Sequence, residues 1–310
     1  IRAAELGRES SEFALAEARI AVRAAVKQAF YQVLRRKGEI ELAHENLKLV
    51  EDLRRRIQVQ VETGEAGRLE LVRADAEVAT ARTLATSAEL RLVTAVAALQ
   101  AAVSTPLSTG VELEGALDPP ARLPSLDVLR EEVLARYPAL AQARTEIRRA
   151  EARIQSELAL RAPQPTLRTE FEQQPDLGTY RIGISLPVPL WNRREGPIGE
   201  AAAALRQARA AAELRRIEIT SALENAYGRY QVASQQVAAF ERGVLKQAEA
   251  ALKAVEAAYQ FGERGIIDVL DAQRVLRAAR LDFLNAQFDR QAALIDLEQL
   301  RAVDLGRTQP

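Results

Sequence analysis

The sequence predicts a mainly α-helical protein, in which two repeated long coiled-coil helical hairpins form an elongated bundle and one β-hairpin interrupts them. Three observations predict it. Of the twelve prolines, none precedes Pro106 and only Pro310 follows Pro197. Proline breaks helix interiors, so residues 1–105 and 198–309 are free to form long helices. Apolar residues within those segments recur at alternating spacings of three and four, the pattern of a coiled-coil seam. The two segments also match each other, and an internal repeat decides architecture before any local motif does.

Composition agrees. Hydrophobic residues make up 48% of the chain but aromatics only 5%, the rest being mostly Ala, Leu and Val. Alanine lets helices approach closely while burying little area, which suits long seams better than a globular core. Lys plus Arg and Asp plus Glu are 43 each, so the net charge is zero. Nucleic-acid binding needs a basic excess to neutralise phosphates, and none is present. There is no cysteine, hence no disulfide and no thiolate chemistry, and no methionine even at position 1. The chain is therefore expected to start inside a longer gene product, or after processing. A membrane helix needs about 20 predominantly apolar residues. The uncharged stretch Leu92–Val111 is long enough, but Gln100, Ser104, Thr105, Pro106, Ser108, Thr109 and Gly110 make it a helix end plus a loop. Any membrane crossing must then use β-strands.

Taken in order, the first helix is expected from about Ser10 to Thr63, roughly 54 residues and about 80 Å at 1.5 Å per residue. It breaks at Val61-Glu62-Thr63-Gly64-Glu65-Ala66-Gly67-Arg68-Leu69, a helical-hairpin tip in which glycine takes up the left-handed conformation. The returning helix carries a seam of Leu71, Ala74, Val78, Ala81, Ala85, Ala88, Leu92, Ala95 and Leu99. Asp118-Pro119-Pro120 through Pro124 reads as a linker. Ser125 can cap a short helix to Arg136, and Pro138 opens a longer one to about Leu160. Thr166–Glu172 alternates, with Leu167, Thr169 and Phe171 on one side. After Pro175-Asp176-Leu177-Gly178, Tyr180–Leu186 alternates again, giving one β-hairpin. Two strands are not stable alone in water, so they need partners.

The last third carries one stripe at Leu223, Ala226, Tyr230, Ala233, Val237, Phe240 and Val244, and a rotated one at Leu245, Ala248, Leu252, Val255 and Tyr259. Two stripes imply neighbours on two sides, a wall of helices. The second tip is Tyr259-Gln260-Phe261-Gly262-Glu263-Arg264-Gly265-Ile266-Ile267. Gly64, Glu65 and Gly67 match Gly262, Glu263 and Gly265 at an offset of 198, and Ala74 and Ala81-Arg82 match Ala272 and Ala279-Arg280. Upstream, Ile20 matches Ile217 and Ala29-Phe30 matches Ala226-Tyr227 at an offset of 197. The chain divides accordingly into a first long hairpin (1–105), a linker with shorter helices (106–162), the β-hairpin (163–191) and a second long hairpin (192–305). At the same offset Ile1 falls on Ile198, so a matching segment is expected to precede residue 1.

Three motifs together carry a resemblance over nearly the whole chain. Ile184-Ser185-Leu186-Pro187-Val188-Pro189-Leu190-Trp191-Asn192-Arg193, followed by Gly196 and Ile198, resembles a strand-to-helix junction. Arg136-Tyr137-Pro138-Ala139-Leu140 resembles the opening of a second repeat. Tyr259 through Asp271 resembles a periplasmic tip. In this order and with this duplication, the chain resembles the TolC-like outer-membrane efflux ducts, most closely their heavy-metal (RND-type) branch. The resemblance implies a homotrimer with an α-helical tunnel through the periplasm and a β-barrel in outer-membrane lipid. Each chain supplies two hairpins to the barrel. This chain shows one, Thr166 to Leu186, and the other is expected before Ile1. A periplasmic adaptor protein and an inner-membrane RND-type pump are the implied partners, with metal ions or small toxic compounds as passively exported cargo.

The same resemblance assigns a gate to Tyr259 and Arg264 of the second tip, facing Glu70 on the first tip of a neighbouring hairpin. It makes Asp268 and Asp271 a cation-selective ring at the tunnel entrance. Three residues apart, they share one helix face, a pattern equally common on any solvated helix. The first copy has Glu70 and Arg73 at the equivalent positions. Gly64, Gly67, Gly262 and Gly265 are implied as adaptor-docking tips. His44, the only histidine, cannot build a metal site without further ligands and reads as a solvated helix residue. No metal site, cofactor or catalytic constellation is expected, and no enzyme activity. A soluble coiled-coil scaffold or tether is the competing function, and the amphipathic segment Pro163–Trp191 argues against it.

Overall fold

In the computed structural model, residues 1–106, 113–117, 123–175, 177–187 and 193–302 are described. Residues 118–122 of the linker, Asp176 of the hairpin turn, residues 188–192 of the junction motif and residues 107–111 of the uncharged stretch lie outside them. Helix α1 spans Arg2–Thr63, α2 Arg68–Val103, α3 Leu126–Arg136 and α4 Pro138–Ala159. Strands β1 (Thr166–Gln174) and β2 (Leu177–Ser185) follow. Then come α5 (Glu195–Ala239), a π-helical turn (Phe240–Val244), α6 (Leu245–Gln260) and α7 (Ile266–Arg301). Helix α1 starts well before Ser10, because nothing in the first ten residues breaks it. None of the described helices is long and apolar enough to cross a membrane.

The chain separates into two compact units. One comprises Ile1–Arg19 and Glu131–Ser221, the other Ile20–Arg130 and Ala222–Pro310. In the first unit, the start of α1 is held by α4. Arg148 donates to Glu9 at 2.6 Å, and the fully buried Thr145 hydroxyl donates to its own helix at Ala141 O. Pro138 opens α4, where its missing N–H costs nothing. Arg194 binds Glu157 at 2.6 Å and Arg209 binds Glu151 at 3.1 Å, fastening α5 to α4.

The β-hairpin of this unit pairs Leu167 with Ile184, Thr169 with Ile182 and Phe171 with Tyr180. One face is thus largely apolar from the Leu167–Ile184 pair to the Phe171–Tyr180 pair, with the Phe171 and Tyr180 rings 4.7 Å apart. The other pairs Arg168 with Gly183, Glu170 with Arg181 and Glu172 with Thr179. The apolar face is bare: Leu167, Tyr180, Ile182 and Ile184 are each more than 60% exposed. Each strand has nine residues, about what a tilted strand needs to cross the hydrocarbon layer.

In the second unit, α1 and α2 run antiparallel. Arg54 meets Asp75 at 2.8 Å and Arg82 meets Glu51 at 2.9 Å. His44 lies 3.0 Å from Glu89 on the same seam, so it holds a partner across the hairpin. The seam read from sequence faces inward, with Ala74, Ala81, Ala85, Ala88, Ala95 and Leu99 all buried. Helix α7 lies along α1: Lys27 binds Glu298 at 2.7 Å, and a Cβ at Gly38 would come within 2.8 Å of Leu284 Cδ1.

The π-helical turn changes the meaning of the two stripes in the last third. Leu223, Ala226, Ala233 and Val237 are buried, then Val244 is 41% exposed, and burial resumes at Ala248 and Leu252. One extra residue in a helix turns everything after it by about 100°. The stripes are therefore one inward face resumed one residue later, not two faces with separate neighbours. The same insertion explains why the repeat offset grows from 197 to 198: α1 runs uninterrupted through the matching region, whereas the second copy holds its extra residue at Phe240–Val244. Deleting Gly243 should restore a plain α-helix and, since it removes the residue that the turn absorbs, leave Ala248 and Leu252 on the core. The expected change in stability is small beside the ~2–5 kcal/mol that emptying the Leu252 site would cost. Thermal unfolding in detergent measures it, and a midpoint lowered as far as by Leu252→Ala would show that the turn does not set the register.

Candidate functional site: the two hairpin tips

Both tips are built alike. After α1, the Glu65 N–H reaches back to Gln60 O at 2.8 Å. After α6, the Glu263 N–H reaches back to Ala258 O at 2.9 Å. This closes the last helical turn and satisfies an otherwise orphan carbonyl. It requires a left-handed residue at the next-to-last position, met by Gly64 (φ 81°) and Gly262 (φ 74°). The second glycine of each pair differs. Gly67 (φ −82°, ψ 149°) and Gly265 (φ −88°, ψ 165°) are extended residues preceding α2 and α7. No heavy atom lies within 4 Å of a Cβ built on either. Backbone conformation and internal packing thus give no reason for glycine at 67 and 265.

Immediately behind the tips sits a core drawn from four helices. Leu53 and Ile57 of α1, Ala74 of α2, Ala248 and Leu252 of α6, and Ile266, Val269, Leu270 and Leu276 of α7 are all buried there. Val61, Leu71, Val255 and Tyr259 pack on its edge. This apolar plug holds the polar side chains of the tips in fixed relation.

Tyr259 crosses from the second hairpin to the first. Its hydroxyl lies 2.9 Å from Gln60 Oε1 and 3.2 Å from Glu70 Oε2. One hydroxyl carries one proton, so it donates to one of these acceptors at a time. Burial, with the Glu70 carboxylate adding to it, pushes the Tyr259 phenol up to about 12. The hydroxyl therefore stays protonated and able to donate across the whole physiological range. Gln60 is a member that sequence reasoning missed. Its only signal is its place one residue before Val61, on the flank of the α1 seam.

Arg264 stands exposed on the second tip, with no partner among the described residues. The structure thus brings Tyr259 and Glu70 together within one chain and leaves Arg264 apart from them.

Asp268 and Asp271 each have a local partner. Asp268 accepts the Gly265 N–H at 3.3 Å, and the Asp268 N–H bonds Gly265 O at 3.1 Å. A carboxylate at this point caps the helix and complements its dipole. Glu70 occupies the matching place on α2, with its N–H bonded to Gly67 O at 3.0 Å, but its carboxylate goes to Tyr259 instead. Asp271, largely exposed, lies 3.4 Å from Arg274. Arg274 also binds Glu77 at 2.8 Å, and Arg277 approaches Glu77 at 3.7 Å. Glu77 is buried at 7% exposure between Ala74 and Val78. Sequence reasoning missed it as well, since a glutamate beside a seam normally faces water. Among the described residues no cluster of His, Cys, Asp and Glu could hold a metal ion.

Comparison with known proteins bears on these tips and on the bare hairpin face alike. The outer membrane efflux protein model matches residues 129–302. The cobalt-zinc-cadmium resistance protein CzcC of Cupriavidus metallidurans is 28% identical over 99% of this chain and 73% of its own length. Among solved structures, a membrane protein from Pseudomonas aeruginosa superposes with a TM-score of 0.83 at 23% identity, covering 99% of this chain and 72% of that one. CusC superposes with a TM-score of 0.83 at 21% identity, covering 97% and 73%. Long helices closed by glycine tips and one amphipathic hairpin are thus the parts of a TolC-like duct, and this chain belongs to the outer membrane efflux protein family, as part of the outer-membrane exit channel of a tripartite efflux system with its helices in the periplasm.

Proposed function

We propose that three copies of the chain close into one duct, which metal cations leave passively under the drive of an inner-membrane RND-type pump linked by a periplasmic adaptor. The observation that carries this reading is the β-hairpin. Its apolar face is bare from the Leu167–Ile184 pair to the Phe171–Tyr180 pair, while its other face carries Arg168, Glu170, Glu172 and Arg181. Such strands are lipid-facing on one side and water-facing on the other in a closed barrel. A soluble scaffold has no use for them. Exposed apolar residues on α2, among them Leu69, Val72, Leu90 and Val93, support a helical wall continued by further copies. Metal cations are favoured as cargo because the similar protein CzcC is named for cobalt, zinc and cadmium resistance. No catalytic step is assigned to the chain, since the pump supplies the work.

Within the duct, Tyr259, Glu70 and Arg264 act as the gate, and Asp268 and Asp271 as the cation-selective ring. Gly64, Gly67, Gly262 and Gly265 form the adaptor-docking tips. The open space around Gly67 and Gly265 supports the last assignment, because a residue kept small for no internal reason fits close approach by another backbone. Returning the full-length gene to a strain lacking it should restore growth in cobalt, zinc or cadmium salts, and the protein in detergent should have three times the chain mass. A monomer there, or no change in tolerance to any of the three metals, would overturn the corresponding part.

A further inference from the structure

Asp271 does not stand as a free carboxylate. Its nearest charge is the Arg274 guanidinium at 3.4 Å, one helical turn further along α7. Arg274 is shared: its other terminal nitrogen lies 2.8 Å from Glu77. Glu77 is the fixed point of the group. It is buried, and it also draws Arg277 to 3.7 Å. Two carboxylates and two guanidiniums therefore form one balanced group joining α2 to α7. Only the outer carboxylate, Asp271, is turned largely to solvent, with 63% of its side chain exposed.

We infer that Arg274 is a selectivity-setting residue of the entrance, holding the field of Asp271 well below that of a bare carboxylate, with Glu77 fixing where the guanidinium stands. This rests on the reading of Asp271 as part of the entrance ring. A positive charge 3.4 Å from Asp271 lies well inside the Debye length of about 8–10 Å, so salt does not uncouple them. A passing cation must compete with the guanidinium for Asp271 rather than meet a bare carboxylate. Glu77 prevents Arg274 from turning wholly to Asp271, which leaves the entrance a partial negative potential instead of none. The entrance then attracts cations enough to admit them without holding multivalent ones.

The test uses the full-length protein in planar bilayers, reading the reversal potential in a potassium chloride gradient and the block by hexaamminecobalt(III). Asp271→Asn should lower cation selectivity. Arg274→Gln should raise it and tighten the trivalent block about ten-fold, as expected when Asp271 of each copy loses the guanidinium that occupies it. Arg274→Lys, which keeps the charge, should stay near the wild type. The double variant Asp271→Asn/Arg274→Gln should behave as Asp271→Asn alone. If Arg274→Gln matches the wild type while Asp271→Asn loses selectivity, the inference is wrong and the ring stands. If Arg274→Gln raises selectivity equally in the Asp271→Asn background, Arg274 acts by its own field and the pairing is wrong. If Asp271→Asn changes nothing, the ring reading fails and takes this inference with it.

Discussion

Exchanging Tyr259 for phenylalanine together with Arg264→Ala should raise the resting conductance of the duct about ten-fold or more. Tyr259 is the side chain that ties the second hairpin to the first at the tips, through Gln60 and Glu70. A hydrogen bond to a charged acceptor is worth about 1.5–3 kcal/mol, and about 1.4 kcal/mol corresponds to ten-fold in an equilibrium. Losing one such bond per copy is therefore enough to shift an opening equilibrium by that factor. The exposed Arg264 adds little to the internal contact, so Tyr259→Phe alone should produce most of the effect.

The pH dependence has a definite sign. The phenol is raised above its ordinary value of about 10 to about 12, so its contribution is fully present below pH 10 and is lost as pH rises through 12. Acidification toward neutral pH or below leaves the phenol protonated. Single-channel recording of the full-length protein checks both points. Variants conducting like the wild type would remove Tyr259 from the gate, whatever the status of the duct.

Much of this fold was legible because its determinants are local and periodic. The confinement of proline to the middle of the chain leaves room for α1, α2 and the α5–α7 segment, and the Leu71-to-Leu99 seam lies on the buried face of α2. The alternation at Leu167, Thr169 and Phe171 marks the face that the strand register makes apolar. What escaped the sequence depends on a third helix. Glu77 sits beside the seam that packs on α1, and it becomes buried because α7 brings Arg274 and Arg277 against it. Nothing in the periodicity of α2 carries that information.

The π-helical turn was written in the sequence in another form, as the change of repeat offset between Tyr227 and Gly262. A stripe that jumps by one residue can mean a second neighbour or an insertion, and only the backbone at Phe240–Val244 separates them. Asp268 shows the opposite limit. Its spacing from Asp271 suggests a pair with one role, but its position at the start of α7 gives it a capping role that Asp271 lacks.

Gly265→Trp should reduce efflux to the level of a strain without the duct, while leaving assembly and membrane insertion intact. The position is chosen because the chain itself tolerates the change. Its backbone is extended (φ −88°), a conformation open to any residue, and the space around a Cβ there is empty. The Gly265 N–H that binds Asp268 is unaffected by a side chain. Gly262 would be a poorer choice, since its φ of 74° makes any substitution strained and would mix loss of fold with loss of docking. Gly265→Ala, with the same backbone and a single added methyl group, should give an intermediate level of efflux, since a methyl group obstructs a close backbone approach less than an indole does. Metal tolerance, trimer mass in detergent and single-channel conductance of the two variants decide it. Full metal tolerance with Gly265→Trp would mean that no partner approaches this tip closely. Lost tolerance with an intact trimer and wild-type conductance would place the defect at the docking surface, because the duct itself would still open and conduct.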